Sequence, residues 1–193
     1  LLALKSRTTP DFSLNDLPNA GRMDLVCRVI SNALFISNDI RRDTVVHVAL
    51  SGPKSPPKII TFYGENLKNV EPDELSIAHV IKNALKLGLR LSLGEEKNVS
   101  PGVSISKKSF ETLAKEKSEK SQLIYLHKKG NDIRNFNFEK NVTFILGDFL
   151  GLPKKTEKFL KRLNAQKISL GPKLLFASHC SILIHNELDR KFQ

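Results

Sequence analysis

Leu123-Ile-Tyr-Leu-His127 runs into Lys-Lys-Gly130, Val142-Thr-Phe-Ile-Leu146 into Gly147-Asp-Phe-Leu-Gly151, and Lys167-Ile-Ser-Leu170 into Gly171-Pro172. These three runs decide the fold. Each reads as an apolar strand ending in a glycine turn, and a helical stretch over 173–191, carrying His179 and Cys180, follows the third. In an open α/β sheet, ligands bind in the crevice at the carboxyl ends of the strands. Three glycine turns in so short a span point to a small-molecule pocket built mainly from main chain.

Working outward, the remaining sequence alternates strand and helix patterns. Residues 1–7 read as a strand, opening at Leu1-Leu-Ala-Leu as if in the middle of it, with earlier residues missing. Residues 8–20 read as loop. A helix is expected over 23–36, where Val26, Val29, Ile30, Ala33 and Leu34 recur on one face. A polar turn over 37–43 precedes strands at 44–50 and 59–63, with a Pro-rich link between them. Glu71-Pro72-Asp73-Glu74 marks the start of a second helix, whose apolar face continues to Gly88. Residues 91–102 read as loop, 103–106 as a short strand, 107–120 as a charged surface helix and 154–163 as a helix between the second and third glycine units. This order predicts an α/β fold with a mostly parallel sheet, helices on both faces and one domain over 1–193.

The chain has 31 Lys and Arg against 20 Asp and Glu, a formal charge of +11. Such an excess attracts polyanions, of which nucleic acid is the commonest. Cys27 and Cys180 form no C-x-x-C pair and no disulfide framework, which suits a reducing cytoplasm. No apolar run reaches the length of a membrane span. A G-x-x-x-x-G-K-[ST] loop and a G-x-G-x-x-G fingerprint are both missing, which argues against Walker and dinucleotide sites. The five histidines and the isolated Asp39 and Asp148 lack the clustering that metal ligands need, so no metal is expected. His179 and Cys180 are adjacent on a helix and diverge by about 100°, which disfavours a Cys–His nucleophile. A second constellation is basic: Asp24 and Arg28 share a helix face, with Arg22 before them and Arg41 and Arg42 in the loop beyond. Arginine suits bidentate phosphate contacts, and a carboxylate among arginines suits proton transfer.

Arg22-Met-Asp-Leu-Val-Cys-Arg28, Ser37-Asn-Asp-Ile-Arg-Arg-Asp43, Ile124-Tyr-Leu-His127, Leu146-Gly-Asp148, Ile168-Ser-Leu170 and the stretch from His179-Cys180 to Ile184-His-Asn186 together resemble the archaeal tRNA pseudouridine-54 N1-methyltransferases, of the SPOUT class. The blocks occur in family order and span nearly the whole chain. The resemblance implies S-adenosylmethionine as methyl donor, tRNA as partner, a homodimer and a C-terminal trefoil knot. Carried over by position, the donor pocket would use Leu126, Gly147, Leu170, Gly171, Pro172, Lys173, Leu174 and Leu175, with Cys180 at its edge. Asp24 is the first candidate for base, with Asp39 and Asp43 in reserve. Arg22 would place it or neutralise charge on the uracil ring. Arg28, Arg41 and Arg42, with Lys54 and Lys58, would hold RNA phosphates. The chain departs from the family at Phe149, where His is expected, and at Gly171, where Ser is expected; both lie in backbone-dominated turns. The rivals are an rRNA pseudouridine methyltransferase of the Emg/Nep type, a non-catalytic basic RNA-binding module, and a Rossmann-type methyltransferase, whose glycine-rich loop after the first strand is not provided by residues 8–21.

Overall fold

A computed structural model of the chain describes residues 1–192, which divide into two compact units, Leu1–Phe110 and the residues from Glu111 onward. In the first unit, β1 (Leu2–Ala3) is followed by α1 (Met23–Leu34), a small hairpin of β2 (Phe35–Ile36) and β3 (Asp39–Ile40), and then β4 (Val45–Leu50) and β5 (Lys58–Tyr63). After these come α2 (Glu74–Gly88), β6 (Glu96–Ser100) and β7 (Val103–Ser106).

The first sheet has strand order β1-β4-β5-β7-β6. Only β1–β4 is parallel, with Leu2 opposite Ala49; β4–β5, β5–β7 and β6–β7 are antiparallel. The expected mostly parallel sheet is therefore corrected here. A parallel pair needs a long crossover, usually a helix, whereas β4–β5 and β6–β7 are joined by short connections that turn the chain straight back. The expected 91–102 loop also holds β6. Its Glu96-Lys97-Asn98 carries no apolar alternation because it is the sheet's edge, where charge is tolerated and discourages further pairing.

The helices follow their patterns more closely. α2 opens on Asp73, whose carboxylate accepts from the Ser76 amide at 2.9 Å, and buries Ile77, Ala78, Ile81, Ala84 and Leu85 at three- and four-residue spacing. α1 buries Met23, Val26, Cys27, Ile30, Ala33 and Leu34 in the same core as Val48, Leu50, Ile60 and Phe62. It ends two residues before its expected limit because Phe35 turns extended and Asn38, at φ 62°, closes a two-residue hairpin turn.

α3 (Phe110–Ser118) begins on the last residue of the first unit and lies otherwise in the second, which continues with β8 (Gln122–Asp132), β9 (Val142–Ile145), α4 (Lys154–Arg162), β10 (Gln166–Ser169) and α5 (Ala177–Phe192). Its sheet, in order β10-β8-β9, is wholly parallel, as three strands separated by long crossovers should be. Ile124, Ile133, Phe136, Ile168 and Ile184 form its core.

One reading of the first glycine unit changes. The strand does not end at Gly130 but runs on to Asp132. Opposite β10, Tyr125 pairs with Lys167, and the next pair is Asn131 with Ile168, so residues 126–130 bulge out of the ladder. Gly130 is there for close approach: a Cβ would lie 2.3 Å from the Ile168 carbonyl carbon.

Candidate functional site

In the first unit, the basic constellation is built on the entry to α1. Gly21 and Arg22 are both left-handed, at φ 70° and 64°, and a Cβ at Gly21 would overlap the Lys5 carbonyl oxygen at 1.9 Å. This turn brings the Arg22 side chain back over the first helical turn. There its Nε donates to Asp24 Oδ1 at 3.0 Å and its Nη2 to Oδ2 at 2.9 Å. A non-glycine residue held at positive φ is strained, and such strain persists where the surroundings enforce it.

Asp24 is buried, and Arg28 Nη2, one turn on, lies 3.5 Å from the same Oδ2. The Arg22 hydrogen bonds hold the Asp24 carboxyl below the usual carboxylate range, against the opposing effect of burial. Arg28 reaches further, donating from Nε to Glu74 Oε1 at 2.6 Å across to the first turn of α2. Arg22, Asp24, Arg28 and Glu74 thus form one chain of alternating charge. Glu74 reads in sequence only as a helix start; its pairing depends on α1 packing beside α2.

Arg42 is tied in a different way. Its Nη1 donates to the Gly64 and Leu67 carbonyls at 3.1 and 3.3 Å, and its Nη2 lies 3.6 Å from Asp39. Arg41 is partly exposed, and its amide donates to Leu34 at 2.7 Å, fixing the loop after α1. Asp39 and Asp43 are exposed, and Asp43 accepts from the Thr44 hydroxyl. Lys54 is paired with Asp11. The expected phosphate role of Lys58 is corrected: its side chain is buried, and Nζ donates to the Gly88 carbonyl at 2.6 Å, so it closes the end of α2 and does not face a ligand.

In the second unit, the parallel ladder brings two candidate donor residues to one edge. Tyr125 of β8 pairs with Ile145 of β9, so Leu126 and Leu146-Gly147 leave the sheet side by side at its carboxyl end. Gly147 and Gly151 close on each other; the Gly151 amide donates to the Asp148 carbonyl at 2.9 Å, and a Cβ on Gly147 would lie 2.4 Å from the Gly151 carbonyl carbon. Beyond β10, Gly171 sits at φ 124° with open space where a Cβ would be, and Ser169 Oγ bonds both its amide and its carbonyl at 3.2 Å. Pro172, Lys173, Leu174 and Leu175 continue as an exposed loop, with Leu174 87% exposed. Cys180 is buried at the start of α5 with its Sγ 4.0 Å from the Leu175 carbonyl, which places it at the base of this loop.

Burial pushes both thiols up, Cys27 further than Cys180, so neither is a ready thiolate. A cavity of about 520 Å³ lies in the first unit, lined by Tyr63, Asn66 and Asn98–Val103, none of them singled out by the sequence motifs.

Comparison with known proteins adds three findings. The family model described as "Putative SAM-dependent RNA methyltransferase" matches residues 1–192. Proteins named tRNA (pseudouridine(54)-N(1))-methyltransferase are similar along nearly their whole length. The one from Methanococcoides burtonii is 47% identical, covering 98% of this chain and 94% of its own. The one from Methanocaldococcus jannaschii is 44% identical with the same coverage. Among solved structures, Nep1 of Archaeoglobus fulgidus bound to S-adenosylhomocysteine shares the fold, with a TM-score of 0.60 at 16% identity over 88% of this chain and 71% of that one.

Proposed function

The chain belongs to the SAM-dependent RNA methyltransferase family, and from that membership we propose that it methylates ring nitrogen 1 of pseudouridine at position 54 of tRNA. The observation that carries the reading is the near full-length identity to relatives bearing that name. It favours tRNA over ribosomal RNA as the substrate, and an enzyme over a passive RNA-binding module.

The residues present suit a donor of this kind. Gly147 and Gly171 turn the backbone at strand tips, and the open space over Gly171 leaves room for a ligand to approach the main chain closely. Leu174 and Leu175, exposed beside them, offer apolar contact to an adenine ring. S-adenosylmethionine supplies, when bound, an electrophilic methyl carbon on its sulfonium sulfur. We assign Leu126, Gly147, Leu170–Leu175 (170–175) and Cys180 to holding it.

Pseudouridine is joined to ribose through carbon, so its nitrogen 1 carries a free proton that must leave as the N–C bond forms. Asp24 is assigned to take or steer that proton, and Arg22 to orient the Asp24 carboxylate and offset negative charge on the ring. With its affinity for protons lowered by Arg22, Asp24 acts best as one half of a positioned pair. Arg28, Arg41 and Arg42 are assigned to RNA phosphates.

Family grounds further support a trefoil knot, one functional domain over 1–193 and a cytoplasmic location; no helix among the described residues is long and apolar enough to cross a membrane. A homodimer is supported by the apolar side chains that the second unit leaves exposed outside the donor loop, Phe176, Ile182 and Leu183.

The test is to incubate the protein with labelled S-adenosylmethionine and two T-arm RNAs, one with pseudouridine and one with uridine at the target. Label on the pseudouridine RNA alone is expected. Donor binding without transfer to either would redirect the reading to another RNA, and no donor binding would overturn it.

A further inference from the structure

The excess charge is unevenly spread: from Glu111 onward there are 16 Lys and Arg against nine Asp and Glu, so seven of the eleven excess charges fall there. Much of it is gathered on one helix. α4 carries Lys154, Lys155, Lys158, Lys161 and Arg162, all exposed. At about 100° per residue, these five project within roughly 120° of arc. Leu160, on the other side, is fully buried, and Glu157 lies at the margin of the basic arc.

This arrangement works against the helix. Lys154–Lys158, Lys158–Arg162, Lys155–Lys158 and Lys158–Lys161 are like charges three or four residues apart, each pair unfavourable by about 0.2–0.5 kcal/mol in an isolated helix. Lys154 and Lys155 also stand in the first turn, the positive end of the helix dipole, where acids are preferred. Among the described residues, none of the five is paired with a carboxylate; the Arg162 guanidinium carbon lies 6.0 Å from the Phe159 ring. Glu157 in the first turn and Lys161 and Arg162 in the last offset part of this, but Lys154, Lys155 and Lys158 keep their repulsion, as a binding surface does before its ligand arrives.

We propose that the outward face of α4 is a docking track for an RNA phosphate backbone, an inference that rests on the RNA methyltransferase reading. Cβ atoms three or four residues apart on a helix lie about 5–6 Å from each other, on the scale of successive phosphates along a strand. The track begins three residues after Gly151, so RNA held on it passes beside the candidate donor turn. A basic amphipathic helix also suits an anionic membrane surface, but that mode requires its apolar face to enter lipid. Here Leu160 is already packed inside the protein.

The experiment measures tRNA affinity across a salt series for the wild-type protein, for Lys154→Gln/Lys158→Gln/Lys161→Gln, and for a control of equal charge, Lys115→Gln/Lys120→Gln/Lys140→Gln. Thermal unfolding and S-adenosylhomocysteine binding establish that each variant is folded. The α4 variant is expected to lose at least tenfold in affinity at low salt. Its slope of log affinity against log salt should fall in magnitude by roughly two to three. Its thermal midpoint should stay level or rise as repulsion is relieved. The control should keep most of the wild-type slope.

If the wild type methylates tRNA and the α4 variant binds it as tightly and as steeply, the track is wrong and the enzymatic reading stands. If the wild type binds RNA through α4 without methylating it, the track stands and the enzymatic reading falls. Equal losses in both variants, no RNA binding by the wild type, or binding to phosphatidylserine vesicles that α4 substitution removes while RNA affinity survives would each overturn the proposal.

Discussion

Arg22 grips Asp24 with two parallel hydrogen bonds, Nε to Oδ1 at 3.0 Å and Nη2 to Oδ2 at 2.9 Å. The carboxylate is buried and the arginine is 40% exposed on its side chain, so the pair presents one charged edge outward while its acid stays inside. The geometry makes the two residues a unit. Asp24→Asn keeps the shape and removes the charge; turnover on pseudouridine RNA should fall by about 10²–10⁴-fold. Arg22→Lys, which cannot make the fork, should also lower turnover. The double variant should be no worse than the poorer single one. Near-normal turnover of folded Asp24→Asn would remove Asp24 from the mechanism.

The same pair sets an acid limit. Arg22 lowers the folded-state pKa of Asp24 below its unfolded value, so the native state binds that proton less readily. Its stabilising contribution is complete above the unfolded pKa of about 3.9 and disappears as pH falls through the lower folded value. The stability gap between wild type and Asp24→Asn should therefore be flat above about pH 5 and close in more acid solution. Urea titrations at stepped pH measure it.

Gly130 makes a different kind of demand. Its missing Cβ admits the Ile168 backbone, and a methyl group there would sit 2.3 Å from the Ile168 carbonyl carbon. Gly130→Ala should destabilise the protein by about 1–3 kcal/mol, as overpacking does, and lower the thermal midpoint accordingly. Gly151→Ala adds a Cβ into open space, so any loss there comes from its φ of 73° alone.

These residues also mark how far the sequence could be read. The parallel β8–β9–β10 unit was legible because each strand is apolar and is separated from the next by a long crossover. The first sheet was not: Glu96–Ser100 lacks a strand pattern because an edge strand need not bury either face. Gly130 was legible as special but not as to why, since a turn and a close approach demand the same residue. In the basic site, Asp24 and Arg28 were placed together by helical spacing. Glu74 was invisible, because 46 residues separate it from Arg28 and only the packing of two helices joins them. Lys58 misled because a lysine's usual place is the surface; its neighbours Ile59 and Ile60 are equally buried, a run typical of an interior strand.

Lys58 supplies a prediction of opposite sign. Burial lowers its pKa, so the unfolded chain holds that proton more tightly than the folded one. Stability should rise with pH in the interval between the lowered folded value and the unfolded value of about 10.4. Lys58→Met should abolish that alkaline rise and leave tRNA affinity and its salt slope unchanged. A lost salt slope would return Lys58 to the RNA surface.

Cys180 tests whether the reaction passes through a covalent adduct. Its thiol is buried 4.0 Å from the Leu175 carbonyl, and desolvation raises its pKa, so little thiolate is available near neutral pH. Nitrogen 1 of pseudouridine can attack a sulfonium methyl directly, with no need for a protein sulfur to activate the ring. Cys180→Ala should keep turnover within about tenfold at saturating donor, and its main effect should be a higher KM for S-adenosylmethionine, because the side chain supports the 170–175 loop. A collapse of turnover with donor KM unchanged would instead make the thiol a participant in chemistry. Mass spectrometry of the stalled protein–RNA mixture would then show the adduct.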